Sequence, residues 1–184
     1  PRIASYAELF TECLSLDPLT ASTADIVNAL DADEQLRESV GEDRDAWLDL
    51  AMTTRIAPGF DDDCLTVIYH YPASQAALAR LCPADEAVAD RFEVCLGALE
   101  LANGFVELTD PDEQLARFEQ ERRLRAGRDQ PDIAVDDRLV AALRGGMPEC
   151  AGVALGLDRL LMIAEGRDDI IDTLTFAPGD IVGR

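Results

Sequence analysis

The 184-residue sequence has no lysine; all sixteen of its basic residues are arginine. Covalent chemistry through a lysine amine is therefore excluded. Histidine occurs once, at His70, so a histidine-dependent nucleophile has only that residue available. The five cysteines, Cys13, Cys64, Cys82, Cys95 and Cys150, contain no C-x-x-C pair. A Cys/His zinc site lacks its usual ligand set, and scattered thiols of odd number read as free thiols in a reducing compartment. No apolar run approaches the roughly 18 residues of a spanning helix. No basic-then-apolar opening reads as a secretory signal. The expected location is cytoplasmic.

Acid is present in excess: 37 aspartates and glutamates leave a formal net charge of −21. Such a surface repels phosphate backbones and anionic membranes, which disfavours non-specific nucleic-acid binding. It also supplies the oxygen donors that hard divalent cations require. With 48% apolar residues, a chain of this length makes one domain or two small ones and buries about 70% of its unfolded surface.

Residues 1–60 read as helical. Ser5 with Glu8 forms a capping box ahead of Leu9, Phe10, Cys13 and Leu14. Ser22 with Asp25 opens a second helix, and a third runs from about Asp43 to Ile56 before Ala57-Pro58-Gly59 ends it. The chain starts at Pro1 in what reads as the entry to a helix, which suggests a piece of something longer. From residue 61 the character changes. Leu65 to Tyr69 is a short β-branched and aromatic run, Phe92 to Leu101 is strand-like around Gly97-Ala98, and Gly152 to Leu157 is a further strand. Between them lie helices opened by Asp110-Pro111 and by Asp136, and Asp158 starts another. Strands and helices mix without βαβ alternation. The expected class is α+β, an antiparallel sheet flanked by helices.

Two constellations carry chemistry. A two-residue turn at Gly97-Ala98 pairs Leu96 with Leu99, Cys95 with Glu100 and Val94 with Leu101. Phe92, Val94, Leu96, Leu99 and Leu101 then share one face, and Glu93 and Glu100 fall diagonally together on the other. Two such carboxylates are either ordinary residues of a solvated sheet face or a site for magnesium, which takes one or two carboxylates plus substrate phosphates. Asn103 and Glu107 follow, with Gly104 between them to permit a bulge; an ideal strand does not put Asn103 on the Glu100 face. In the second constellation, Gly152, Ala154 and Gly156 share one strand face with almost no side-chain bulk, and Arg159 stands at the start of the next helix. This is either a floor for a flat ligand beside a phosphate-binding guanidinium, or close strand–helix packing.

In this order, the two constellations resemble the C-terminal half of the class II lysyl-tRNA synthetase catalytic domain. The carrying residues are Glu100-Leu101-Ala102-Asn103-Gly104-Phe105, Glu107-Leu108-Thr109-Asp110 and Gly146-Met147-Pro148, with Gly152 to Arg159 similar to motif 3. Three features resemble more closely the branch of that family that modifies elongation factor P with (R)-β-lysine: Tyr69-His70-Tyr71-Pro72-Ala73-Ser74-Gln75, Arg91-Phe92-Glu93-Val94 and Gly152-Val153-Ala154-Leu155-Gly156.

The resemblance implies ATP and Mg2+ as cofactors, with Glu93 and Glu100 holding the ion against the phosphates. It implies an amino-acid pocket lined by Asn103 and by Glu107, which would read the substrate's distal ammonium. Gly152 and Gly156 would floor the adenine and lysyl sites, Ala154 would shape the amino-acid pocket for β-lysine, and Arg159 would clamp ATP. The implied reaction joins lysine or β-lysine to AMP and passes the acyl group to a lysine of elongation factor P. It needs positioning and charge neutralisation rather than a protein nucleophile. Motif 1, which builds the family's homodimer, and motif 2, whose arginine binds the α-phosphate, are not found in the 184 residues. The chain alone is therefore expected to be inactive or nearly so. Two rival readings are a lysyl-tRNA synthetase fragment that transfers to tRNA, and an interaction domain that keeps only the fold.

Overall fold

The computed structural model describes residues 1–128 and 130–176; the segment 61–184 expected to carry the sheet and motif 3 runs past that limit. Helices α1 (Tyr6–Leu14) and α2 (Thr23–Ala29) both begin on capping boxes. Ser5 and Ser22 accept the N3 amides while Glu8 and Asp25 reach back to the cap amides, a device in which the cap residue contributes about 1 kcal/mol. Asp33 and Asp43 cap α3 (Glu34–Val40) and α4 (Arg44–Ala51). The long third helix expected to run to Ile56 does continue, but through a π-turn at Met52–Ile56 and a 3-10 turn at Ala57–Gly59. Helix α3 was not expected; it buries none of its residues and only leans Leu36 and Val40 on the core.

The strands are β1 (Arg2–Ser5), β2 (Leu65–Pro72), β3 (Leu81–Cys82), β4 (Asp85–Leu96), β5 (Leu99–Val106) and β6 (Ala151–Leu155). They form one sheet in the order β1-β2-β4-β5-β6, with β3 paired to β4. The class is α+β. One pair departs from the antiparallel expectation: β1 lies parallel to β2, from Arg2 opposite Thr66 to Ser5 opposite Tyr69. Four residues are too few to show a period, which is why this strand read as helix entry.

Helices α1, α2 and α4 lie over one face of the sheet. Tyr6, Leu9, Phe10, Ile26, Trp47 and Leu48 pack there with Ile68 and Cys95 in a common core, each large apolar side chain contributing about 1.5–3 kcal/mol. The face so covered is that of Cys95 and Glu93, since Thr66 pairs with Cys95 and Ile68 with Glu93. Phe92, Val94 and Leu96, expected on the apolar side, are only half-buried. On the C-terminal side, α5 (Pro111–Gly127) starts on Asp110, whose carboxylate accepts from the amides of Asp112 and Glu113. Arg117 ties it to the carbonyls of Ala77 and Ala79. Helices α6 (Asp137–Arg144) and α7 (Leu157–Ala164) flank β6 in sequence.

Candidate active site

The β4–β5 hairpin turns at Gly97-Ala98, and Gly97 takes φ 53 while its missing Cβ leaves room for the Asp62 carboxylate. Leu96 pairs with Leu99 and Cys95 with Glu100, as the turn requires. Beyond that point the expected register fails. Val94 pairs with Ala102 rather than Leu101, Glu93 with Asn103 and Phe92 with Gly104. Leu101 is the extra residue of a bulge, three positions before the glycine that was expected to permit one. A one-residue slip moves every later side chain to the opposite face. It therefore brings Asn103 onto the side of Glu100, where an ideal strand would not place it.

Strand β6 extends the row. Ala154 pairs with Asn103 and Gly152 with Phe105, so Glu93, Asn103 and Ala154 stand side by side across three strands. Gly152 and Phe105 continue beside Arg91. The helical layer covers this face over β2 and part of β4. Over β5 and β6 it is open, with Asn103 half-buried and Ala154 exposed.

Glu93 is held by two donors on one oxygen. Arg91 Nη2 donates to Oε1 at 2.7 Å and Asn103 Nδ2 donates to the same atom at 2.9 Å. Oε2 accepts no hydrogen bond among the described residues. Arg91 in turn lies 4.4 Å over the Tyr71 ring and donates through Nη1 to the Gln75 carbonyl at 2.8 Å. Gln75 Nε2 donates to Asp49 at 2.9 Å, and Ser74 Oγ donates to Asp45 at 2.7 Å. The Ala73-Ser74-Gln75 segment thus bolts Arg91 to α4. Burial, then the neighbouring Asp45 charge, raises the Asp49 carboxyl above its ordinary value. Burial and the Glu93 charge raise the Tyr71 phenol. A cavity of about 360 Å³ lies here, and the Tyr6 and Tyr71 hydroxyls and Gln75 Oε1 are buried in it without partners among the described residues.

Arg159, in the first turn of α7, reaches back to β5. Its Nη1 donates to the Glu100 carbonyl at 2.6 Å and lies 3.6 Å from the Glu100 carboxylate. Its side chain also packs on Gly156, where an added Cβ would sit 3.4 Å from Cδ. Glu107 leans over Gly152: a Cβ there would sit 2.6 Å from Glu107 Oε1. The eight residues singled out in the sequence thus lie along β4, β5, β6 and the start of α7, with Glu107 one residue past the end of β5. Sequence reasoning assigned no role to Arg91, Tyr71, Gln75 or Asp49, although Arg91 and the Tyr69–Gln75 segment were part of the resemblance.

The model of the family "tRNA synthetases class II (D, K and N)" matches residues 21–179. The chain belongs to that family. It is 45% identical over 177 residues to the elongation factor P–(R)-β-lysine ligase of Pectobacterium carotovorum, covering 94% of this chain and 54% of that relative. It is 46% identical over 173 residues to the proteins of the same name from Klebsiella pneumoniae and Yersinia pestis, with 94% of this chain and 53% of each relative covered. The chain spans about half the length of the curated relatives it matches.

The donor chemistry of the site suits a hard cation. Glu93 and Glu100 share a sheet face, and each carboxylate is already faced by an arginine. Among the described residues neither belongs to a group of three ligand side chains around one point. Two carboxylates completed by phosphate oxygens is the arrangement magnesium prefers.

Proposed function

We propose that this chain carries the amino-acid and motif 3 half of a ligase site. In this reading the site activates lysine or β-lysine with ATP and passes the acyl group to a lysine of elongation factor P. The observation that carries the reading is the Glu93–Asn103–Ala154 row, which the bulge at Leu101 creates next to Gly152 and Glu107. An acid and an amide beside a strip of small residues is what an amino acid with a distal ammonium needs. Glu107 lies over the small-residue strip and pairs with that ammonium. Asn103, itself oriented by Glu93, donates its remaining N–H to the substrate. Ala154, opposite Asn103, sets the pocket's depth and with it the preference for β-lysine.

On the nucleotide side, Arg159 bonds the β5 backbone and leaves donors of its guanidinium for phosphate oxygens or the base. Glu100 and the free oxygen of Glu93 would hold the magnesium ion, which supplies neutralisation of phosphate charge when bound. Gly156 lets Arg159 lie close to the backbone. Attack of the substrate carboxylate on the α-phosphorus forms the acyl–phosphate bond and breaks the bond to pyrophosphate. The adenylate then gives its acyl group to the acceptor amine and releases AMP.

The test is ATP–pyrophosphate exchange and acyl transfer in a protein that carries motifs 1 and 2 together with this chain. Glu100→Gln and Arg159→Ala are expected to lower exchange by about 10²-fold or more, with label passing to elongation factor P and not to tRNA. Normal exchange in either variant overturns the site. Label on tRNA alone overturns the acceptor.

A further inference from the structure

We infer that His70, Cys82 and Asp90 form a binding site for a borderline divalent cation of the zinc type. Their ligand atoms, one from each side chain, all lie within 4.8 Å of one another. They come from three neighbouring strands, and two of the three partners of β4, namely β2 and β3, lose register against it there. The β2–β4 ladder shifts between Tyr69 and Tyr71, and the β3–β4 ladder between Leu81 and Cys82. His70, skipped by the first shift, sits at φ 56, a left-handed conformation that costs a non-glycine residue about 1–2 kcal/mol. The chain's single histidine is thus turned out of its ladder by a strained bulge, and bulges re-aim side chains.

Imidazole, thiolate and carboxylate are the three donor types zinc accepts, at bond lengths of about 2.0–2.3 Å. In a tetrahedron such bonds place the donors about 3.5 Å apart, so the three need to close by about 1 Å. Asp90 is already held in place: Arg80 donates to its Oδ2 at 2.8 and 3.2 Å, which leaves Oδ1 as the oxygen available to an ion. Outer-shell partners of this kind fix the ligating group. On binding, Cys82 releases its thiol proton to solvent, and the thiolate and Asp90 balance the dication; water fills the fourth position. Asp90 alternates with Arg91 along β4, so its side chain lies on the opposite face from Arg91 and Glu93. The site is separate from the Glu93–Glu100 pair and does not rest on the proposed ligase activity.

The test is a titration of the reduced 184-residue chain with Co2+, with circular dichroism of every metal-free variant for comparison. The expected result is a thiolate-to-cobalt charge-transfer band that saturates at one ion per chain and is displaced by Zn2+. Cys82→Ser abolishes the band. Asp90→Asn and His70→Asn weaken binding by at least about tenfold; asparagine keeps the left-handed backbone at 70. Replacing the exposed thiols Cys13 and Cys150 by serine leaves the band intact. Zn2+ raises the melting temperature of the parent and not of His70→Asn. No band in the parent, a band that survives Cys82→Ser, or unchanged affinity in both His70→Asn and Asp90→Asn overturns the site.

Discussion

Asn103 and Glu93 face each other across β5 and β4 because Leu101 is left out of the ladder between them. The amide of Asn103 and the guanidinium of Arg91 then meet on a single carboxylate oxygen, 2.9 and 2.7 Å away. A neutral donor at 103 is essential to this arrangement. An acceptor there would compete with Glu93 for the one arginine.

Asn103→Asp should therefore be pH-sensitive. At neutral pH it puts a second carboxylate against Glu93, which at an effective dielectric of 20 costs a few kcal/mol before Arg91 offsets part of it. The expected loss is about 1–3 kcal/mol at pH 8. It should shrink toward pH 4, where one carboxylate takes up a proton. Urea unfolding at the two pH values measures this, and an equal loss at both contradicts the arrangement.

Two glycines separate stability from binding. A Cβ at Gly104 would lie 2.6 Å from the Phe92 ring and 2.8 Å from the Gly152 carbonyl oxygen. Gly104→Ala should cost about 1–3 kcal/mol, because neither ring nor backbone can give way cheaply. At Gly152 the obstacle is only the end of the Glu107 side chain. Gly152→Ala should melt within a few degrees of the parent, yet in an active protein it should raise the KM for the amino acid while leaving that for ATP unchanged. A large stability loss at 152, or equal rises in both KM values, would count against Glu107 as the ammonium partner.

Cys95 is buried between the helical layer and the sheet. Burial first, then the Glu93 and Glu100 charges, push its thiol up to about 11. The unfolded thiol ionises near 8.5, so its contribution to stability is complete below that pH and is lost as pH rises toward 11. Alkylation at pH 8 followed by peptide mass analysis should label the exposed Cys13 and Cys150 early and Cys95 last. Labelling of Cys95 as fast as Cys13 would contradict its placement.

What the sequence disclosed was local chemistry. The Ser5–Glu8, Ser22–Asp25 and Asp110 caps act within one helical turn, so they are visible as spacings and appear in the structure where expected. The hairpin turn at Gly97 is equally local. The bulge at Leu101 was not legible: leucine carries no bulge signal, and the slip is set by what Ala102 and Asn103 meet on β4 and β6. The covered face was misjudged for a similar reason. Phe92, Val94 and Leu96 form the more apolar stripe, but the helices settle on Cys95 and Ile68, where β1 and β2 extend the surface. Arg91 and Glu93 share a strand face at i, i+2, but the anchoring of Arg91 by Gln75 and Tyr71 joins separate strands and turns, and no periodicity announces it.

The open borders of the sheet have one more consequence. Strands β1 and β6 lie at its two ends, each with one strand neighbour among the described residues, and Ile3, Val153 and Leu155 are exposed there. Unpaired strand borders template association between copies. The charge of −21 is the counterforce, a colloidal repulsion that reaches about 8 Å at physiological ionic strength and about 3 Å at 1 M. Self-association through these borders is therefore expected to rise with ionic strength, which sedimentation of the chain at low and high salt measures.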